Sequence, residues 1–527
     1  MEEEQISGSI NSFSDRYSPT YNSSHDTNPN NYYYYDNEEE EEESGYDHRT
    51  KRSKHAPILE EEDRISALPD SILLSILCFL PINNAIKTGV LSKRWASLWT
   101  FLPSLSFDSN SFTYLEDFTR AVNDTLLQNR APKLTKFDIR SEYDTDLDPR
   151  LDIWVRFATN AKVDQLRLYL SPAYSFDPNG YQLPQHLYAN EFVSEFNFSF
   201  CNIKPIGLLH WVSLKRLCIQ KSALREDVIR KVLVGSPRLE SLEMHDCYGF
   251  HRLDIVSESL RKLVIDGYLD MEYIDNSDGG SDEAELEIVA PKIHSLEIVG
   301  DFYRKKCRIK NVSALVEVKL GFYSTSDFGY GEEEEDAVER HEDNVKKLLE
   351  SLHHVKNLTV GIWCLTALSI MSVKHLPSPL SKCKCLTIQT SMGKCDLPGI
   401  GSLLQSSPYV ETLVIDITSG GYMWPALVRD YDVVNHWKSK EIYFKLLLLR
   451  LKSVKILCFA ETFHQKEFIL VVKFLLKNAK VLEKMVIIEP QTRQNPTRNM
   501  LRKSLQVAQK LLSFPRSSPN AVVMFPY

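Results

Sequence analysis

Apolar residues are most concentrated in one short stretch of the chain, residues 68–99, where they cover more than one face of the predicted helices. Pro69 suits the first turn of a helix, because its missing N–H group would be unpaired there in any case. The residues after it are apolar around almost the whole helix, whereas a helix that covers a core needs only an apolar stripe. Pro81 ends this helix, and a further short helix is predicted to begin near Ser92. Short helices of this kind cannot bury so much apolar surface among themselves, so we expect the excess to contact a partner.

The helical stretch ends in a basic and aromatic segment, Lys93-Arg94-Trp95, which is followed by Leu98 and Trp99. A second interpretation of the same residues is open: the helices form a hairpin that caps the following domain, and the two tryptophans fill its core. Aromatic side chains supply much of the surface that protein cores bury. This alternative accounts for part of the stretch but not for its total apolar content.

From about residue 130 onward one pattern recurs: an amphipathic helical stretch, a short turn, and a strand whose alternate residues point inward. In four units a leucine ends the helix, and a strand of the form L-x-x-L-x-[LIV] begins six residues later, with Leu or Val in its first position. In two of these units a methionine, Met244 or Met485, replaces one of the later apolar residues. These helix-ending residues are Leu233, Leu349, Leu404 and Leu476. Strand-like pieces without so clear a helix occur at residues 163–168, 214–219, 260–265, 293–298, 315–320 and 386–388. Each unit leaves its apolar edges unfilled until a neighbour stacks on it, which predicts a solenoid.

The spacing of the strands indicates how regular the repeats are. The predicted anchor residues, in order, are Leu217, Leu242, Leu263, Leu296, Val318 and Leu358. The first two spacings, 25 and 21 residues, fall within the usual range of about 20–29 residues for a leucine-rich repeat. Spacings of 33 and 40 residues predict acidic loops inserted at residues 270–287 and 324–343. An ordinary α/β domain with parallel strands predicts the same alternation, but the fourfold recurrence of one spacing favours the solenoid.

Composition places the chain among ordinary globular proteins, with 527 residues, 43% hydrophobic and 25% charged. A net charge of −9 argues against nucleic acid as the main partner, because phosphate binding needs a concentrated basic surface. The N-terminus lacks the basic start and apolar core of a signal peptide, and the longest aliphatic block, residues 446–449, is too short to cross a bilayer. With ten scattered cysteines, these features predict reduced thiols and a location in the cytoplasm or nucleus.

Residues 1–60 differ in kind from the rest of the chain. They are rich in Ser, Asn, Asp and Glu and offer few aliphatic residues to offset the entropy of ordering, so we predict that they are disordered. Within them, the basic segment 48–55 has two interpretations, a nuclear localisation signal or a solvated patch that balances the neighbouring acidic run.

The apolar stretch resembles an F-box in the form found in large plant families. The matching residues are Leu68-Pro69-Asp70, Ile72-Leu73, Ile76-Leu77, Leu80-Pro81, Val90-Leu91-Ser92-Lys93-Arg94-Trp95 and Leu98-Trp99. This resemblance implies docking onto the Skp-type adaptor of a cullin-based ubiquitin ligase. The predicted adaptor contacts are Leu68, Pro69, Ile72, Leu73, Ile76, Leu77, Leu80, Leu91, Lys93, Arg94 and Trp95. Lys93 and Arg94 are expected at the rim, where they would steer the chain towards an acidic partner surface.

The later units resemble leucine-rich repeats, and residues 437–490 resemble the FBD module that follows the repeats in many plant F-box proteins. The same C-terminal segment also fits two further repeat units. The predicted fold class is therefore α/β: a short three-helix F-box at residues 63–108, an irregular leucine-rich-repeat solenoid at 130–430 and an FBD-like cap, followed by a tail at 491–527.

No catalytic motif is present: the sequence has no G-x-S-x-G elbow, no phosphate-binding Walker loop and no H-E-x-x-H pair. Cys383, Cys385, Cys395 and His375 suggest zinc superficially, but no second C-x-x-C pair completes four ligands, and we predict no metal site and no cofactor. The cysteines at positions 201, 218, 247, 307, 364 and 458 lie mostly in apolar strand patterns, which predicts a packing role.

These observations predict a non-catalytic protein that binds a Skp-type adaptor and, through it, cullin, and that holds an unidentified protein substrate on a concave repeat surface. One alternative is a scaffold or competitor that binds the adaptor, or another protein, without assembling a ligase. A second alternative is an enzyme or small-molecule receptor domain that carries a helical cap. The sequence does not identify the substrate-binding residues, because the exposed side chains of repeats diverge.

Overall fold

The computed structural model describes residues 65, 67–173, 180–268, 285–301, 306–323, 334–418, 428, 449–457, 466–488 and 498–525. The predicted disordered segment 1–60, with the basic residues 48–55, lies outside the described residues, as do Cys458 and all of residues 437–448. From Ala67 onward the chain forms one compact unit that extends to Tyr527.

Eleven helices of six residues or more lie in the described parts of the chain. They are α1 (Asp70–Leu77), α2 (Ile82–Lys87), α3 (Lys93–Leu98), α4 (Leu115–Gln128), α5 (Asp148–Asn160), α6 (Glu226–Gly235), α7 (Glu334–Ser351), α8 (Ile362–Val373), α9 (Leu397–Gln405), α10 (Lys466–Asn478) and α11 (Arg498–Leu512). The predicted helix-ending leucines Leu233, Leu349, Leu404 and Leu476 all lie within the last three residues of their helices. Helices α4 to α11 connect the strands of a large sheet.

Twenty strands lie in the same described ranges. They are β1 (Ser104–Asp108), β2 (Lys136–Tyr143), β3 (Gln165–Pro172), β4 (Tyr181–Gln182), β5 (Glu195–Ser199), β6 (Cys201–Asn202), β7 (Arg216–Gln220), β8 (Ser241–Cys247), β9 (Arg252–Asp254), β10 (Lys262–Tyr268), β11 (Glu285–Val289), β12 (Ser295–Asp301), β13 (Lys306–Lys310), β14 (Glu317–Tyr323), β15 (Asn357–Val360), β16 (Cys385–Thr390), β17 (Thr412–Ile417), β18 (Ser453–Leu457), β19 (Lys484–Ile488) and β20 (Val522–Met524). Fifteen of them form one sheet in chain order, β1-β2-β3-β5-β7-β8-β10-β12-β14-β15-β16-β17-β18-β19-β20, and all neighbours are parallel. Parallel strands that follow one another in chain order, each joined to the next by a connection that returns to the same edge, are the topology of a solenoid, and the predicted fold class is confirmed.

The predicted anchor residues form one continuous buried column across this sheet. Leu217 pairs with Leu242 and Leu242 with Leu263, and the register continues through Leu296 and Val318 to Leu358. None of these six side chains is more than 2% exposed. Since burying a leucine side chain stabilises a fold by about 1.5–3 kcal/mol, each repeat contributes to the sheet through the neighbours that cover it.

The two acidic insertions are not simply loops, which corrects the prediction. Residues 285–289 form strand β11, which pairs with β9 and β13 in a second parallel sheet, and helix α7 begins at Glu334. In β11, Leu286 and Ile288 are fully buried and alternate with acidic residues. Glu287 contacts Lys310 at 2.8 Å on the neighbouring strand β13. The acidic residues therefore mask an ordinary alternating strand pattern.

The large sheet extends beyond the predicted repeat boundaries at both ends. Strand β1 lies in the region predicted as F-box, and β20 lies in the predicted C-terminal tail. Strands β18 and β19 continue the parallel pairing through the described part of the FBD-like segment, which fits its alternative interpretation as further repeat units. The FBD assignment itself stays a prediction. Among the described helices, none combines the length and the apolar character that a membrane span requires.

Candidate functional site

The first candidate site is the N-terminal helical unit, residues 68–102, in which α1, α2 and α3 pack together. Helix α3 begins after Ser92, as predicted, and the Ser92 Oγ accepts a hydrogen bond from the Trp95 backbone N–H at 3.4 Å. Helix α1 begins directly after Pro69. The loop between α2 and α3 passes close to α3: a Cβ built on Gly89 would lie 3.2 Å from the Ala96 Cα. Small residues at this contact therefore let the unit close.

The inner side chains of the helical unit share one core with the repeats. These buried residues are Leu73, Leu77, Ile82, Ala85, Trp95, Leu98 and Trp99. They belong to the same hydrophobic cluster as Leu102 and Leu105, and Leu105 lies on the first strand of the large sheet. The helical unit is therefore packed against the beginning of the solenoid, as the capping interpretation expected.

Burial divides the predicted contact set. Leu73 and Leu77 are fully buried and Trp95 is only 6% exposed, so in the free chain these side chains belong to the core that holds α1 and α3 together. Their role as adaptor contacts stays a prediction. Of the other predicted contacts, Leu68 is half-buried and Pro69 and Lys93 are exposed.

A second set of apolar side chains lies on the outside of the same unit. These exposed residues are Ile72, Ile76, Phe79, Leu80, Val90 and Leu91, and we refer to them as the outer apolar face. Their exposed fractions range from 39% for Leu80 to 89% for Phe79 and Val90. Phe79 and Val90 were not among the predicted contacts, although both stand in the apolar stretch. An apolar surface of this kind on an otherwise packed unit indicates an interaction site.

Arg94 takes an internal role that the sequence did not reveal. Its Nη2 donates to the Leu68 carbonyl oxygen at 2.6 Å, and its Nε donates to Asp70 Oδ1 at 2.7 Å. Asp70 is the first residue of α1. Arg94 therefore ties the start of α1 to α3 while its side chain stays 38% exposed, and Lys93, the other predicted rim cation, is exposed.

The second candidate site is one face of the large sheet. Along each strand, buried side chains alternate with partly exposed ones, and we call the face to which the partly exposed side chains point the open face. Ion pairs join neighbouring strands in its middle part: Lys262 Nζ lies 2.9 Å from Glu297 Oε1, and Arg216 contacts Glu195. Towards the C-terminal end, Val414 and Val486 occupy the register position of Glu297, with the exposed Lys455 between them. The open face thus offers both charged and apolar groups, a mixture suited to binding protein.

The cysteines divide between the core and the open face. Those at 201, 247, 307 and 364 are buried, and burial raises the pKa of both Cys247 and Cys307 to about 12, so these thiols pack as neutral groups. Cys218 departs from the prediction, because it is half-buried on the open face and accepts a hydrogen bond from Gln220 Nε2 at 3.5 Å. In the described residues, Cys383 and Cys395 are buried and are not grouped as metal ligands.

Comparison with protein families separates the same two parts of the chain. The F-box domain model matches residues 65–107, which contain the helical unit. The model described as At1g61320/AtMIF1, LRR domain, matches residues 127–522, which contain all strands of the large sheet except β1 and the end of β20.

Similar proteins from Arabidopsis thaliana carry names that include both the F-box and the leucine-rich repeat. The chain is 30% identical to the F-box/LRR-repeat protein At5g02910 over 437 residues, which is 81% of this chain and 88% of that relative. It is also 30% identical to the F-box/LRR-repeat protein At3g03360 over 389 residues, which is 71% of this chain and 74% of that relative. Both relatives are thus matched over most of their own length.

Proposed function

Because the chain belongs to the plant family of F-box/leucine-rich-repeat proteins, we propose that it is the substrate-recognition subunit of a Skp-cullin-F-box ubiquitin ligase. Its two domains support a role in protein interaction. In our proposal, the F-box docks onto the Skp-type adaptor and the open face of the repeats binds a protein substrate. The chain supplies position and no chemistry, since holding two reactants side by side raises their effective concentration.

The outer apolar face is the observation that carries the proposal. The core of the helical unit is already filled by Leu73, Leu77 and Trp95, so the exposed apolar residues are not needed to complete it. Covering them with a partner removes apolar surface from water at about 25 cal/mol per Å². Lys93, which is exposed and lies two residues after Leu91, favours a partner with acidic groups around its apolar groove.

The shared core supports the second half of the proposal. Leu98 and Leu102 of the helical unit pack in the same hydrophobic cluster as Leu105 and Phe137 on the first two strands. A rigid connection of this kind fixes the direction in which a bound substrate is held relative to the adaptor. A flexible linker would instead spread the substrate over many positions and lower its effective concentration.

The experiment is co-purification of the full chain with a Skp-type adaptor and cullin, for wild type and two variants. Phe79→Asp places a charge on the outer apolar face, whereas Leu127→Asp makes the same change on α4; the two native side chains are 89% and 85% exposed. We expect wild type and Leu127→Asp to retain adaptor and cullin, and Phe79→Asp to lose both.

The alternatives predict other results. Retention of the adaptor without cullin would favour the scaffold or competitor role, and equal retention by Phe79→Asp and Leu127→Asp would overturn docking through the outer apolar face.

We also propose that the protein acts in the nucleus or cytoplasm, where cullin-based ligases meet their substrates; imaging of the tagged full chain tests this.

A further inference from the structure

We propose that Cys218, Glu243 and His245 form a zinc-binding site on the open face of the sheet, with Asp266 as the residue that orients His245. One ligand atom from each of the first three residues, a thiol sulfur, a carboxylate oxygen and a ring nitrogen, lies within 4.8 Å of the others. In the described part of the chain this is the one group of His, Cys and acidic residues with such spacing. The inference is independent of the proposed function.

The strand register explains why these residues meet. Cys218 on β7 pairs directly with Glu243 on β8, and neighbouring strands lie about 4.7–4.9 Å apart. His245 stands two residues further along β8 and so projects from the same face. All three side chains are partly exposed. A metal ion can therefore reach them from solvent without unfolding the sheet.

Asp266 fixes the orientation of the histidine ring. It pairs with His245 across β8 and β10, and the His245 Nδ1 lies 3.0 Å from Asp266 Oδ2. Since a carboxylate accepts hydrogen bonds, Nδ1–H is the donor, and Nε2 is directed towards Glu243, whose Oε2 is 3.9 Å away. In zinc sites, a metal-binding histidine usually donates its other ring N–H to a carboxylate that does not itself bind the metal.

The ligand chemistry and local charge favour zinc. A mixed set of thiolate, imidazole and carboxylate suits Zn²⁺, whose bonds of about 2.0–2.3 Å place tetrahedral ligands about 3.5 Å apart. Rotation of the partly exposed side chains can close the difference from 4.8 Å. Lys262 lies closer to Glu297, at 2.9 Å, than to Glu243, at 4.0 Å, so Glu243 remains able to bind a cation. Three protein ligands leave the fourth position to water.

The same surroundings also favour a proton on the ring. Hydrogen bonds with Cys218 and Glu243, and a further one with Asp266, raise the pKa of His245 to about 11. Zinc must displace a proton from the ring, so the competing outcome is a metal-free His245 held by its hydrogen-bonded neighbours. Direct metal binding separates the two states.

The experiment measures Zn²⁺ bound to the full chain by elemental analysis after equilibrium dialysis, and Co²⁺ binding by the charge-transfer absorption of a cobalt–thiolate bond. The variants are Cys218→Ser, His245→Gln and Asp266→Asn, with Cys385→Ser as the matched control because Cys385 is also half-buried, on strand β16. Thermal unfolding without metal checks that every variant is folded.

We expect one equivalent of zinc in wild type and in Cys385→Ser, with loss of the thiolate absorption in Cys218→Ser. Asp266→Asn should bind zinc about 10- to 100-fold more weakly, as removal of outer-shell partners does elsewhere. Absence of stoichiometric zinc from wild type would overturn the proposal. Wild-type binding by Cys218→Ser and His245→Gln would equally overturn it, since the metal would then lie elsewhere.

Discussion

Replacement of Leu91 by alanine is the sharpest quantitative test of the outer apolar face. Leu91 follows the 3₁₀ turn Thr88–Val90 and is 67% exposed. It is a predicted adaptor contact that the structure leaves on the surface, unlike Trp95. Because little of its side chain is buried in the free protein, its loss should change the stability of the free chain by no more than about 0.5 kcal/mol.

The expected loss of affinity follows from the exposed fraction. Burial of a whole leucine side chain contributes about 1.5–3 kcal/mol. Two thirds of this side chain is still available to a partner, so Leu91→Ala should weaken adaptor binding by about 1–2 kcal/mol. This corresponds to an increase in Kd of about 5- to 30-fold. The change should fall mainly on the dissociation rate, because an apolar contact forms after encounter.

The assay is biolayer interferometry of the full chain with the purified Skp-type adaptor, accompanied by thermal unfolding of each free variant. Leu208→Ala is the matched control, because Leu208 is 91% exposed in a non-helical segment of the repeats. We expect it to bind as wild type does. An equal Kd for the Leu91 and Leu208 variants would refute the reasoning, and a lowered melting temperature of free Leu91→Ala would show that the side chain acts through the fold.

Two further changes test the core. Trp95→Ala should cost about 3–5 kcal/mol of stability, because Trp95 is buried against the shared core. Hydrogen exchange of the free chain should then show opening of residues 68–102, and normal protection there would contradict a core role for Trp95. Burial raises the pKa of Asp396, so the folded state favours the protonated carboxyl. The stability that this group contributes is therefore complete below the ordinary Asp pKa of about 3.9. It is lost as the pH rises through the raised pKa. Denaturation across a pH series should therefore show a weaker decline for Asp396→Asn than for wild type, and parallel curves would contradict this.

The repeat register could be predicted because it depends on a local signal. The spacing from Leu233 to Leu239 and from Leu404 to Val410 reports one helix end, one turn and one strand start, all within a few residues. Strand β5 was missed since no helix pattern precedes it, and its Phe196 and Phe198 replace the expected aliphatic residues. Strand β11 was missed because acidic residues alternate with its buried leucine and isoleucine.

The cluster around Cys218 could not be found from spacing along the chain. Its ligands come from two adjacent strands, and Asp266 comes from a third, so the separation of Cys218 from Glu243 is set by the length of helix α6 and its turns. A linear motif search finds metal ligands that a single turn holds together. Only the parallel register brings these residues to one point.

The division of the F-box residues between core and surface also depends on tertiary structure and not on spacing along the chain. Helix α1 carries two neighbouring apolar stripes, Leu73 with Leu77 and Ile72 with Ile76, and in each pair the residues stand four apart and so share a face. The sequence is equally apolar in both stripes, and nothing local distinguishes them. Helix α3 and the 3₁₀ turn Trp99–Phe101 pack against α1, and one stripe is buried while Ile72 stays 45% and Ile76 42% exposed. Tertiary packing therefore decides which stripe stays uncovered, and that stripe is the one through which we propose that the adaptor binds.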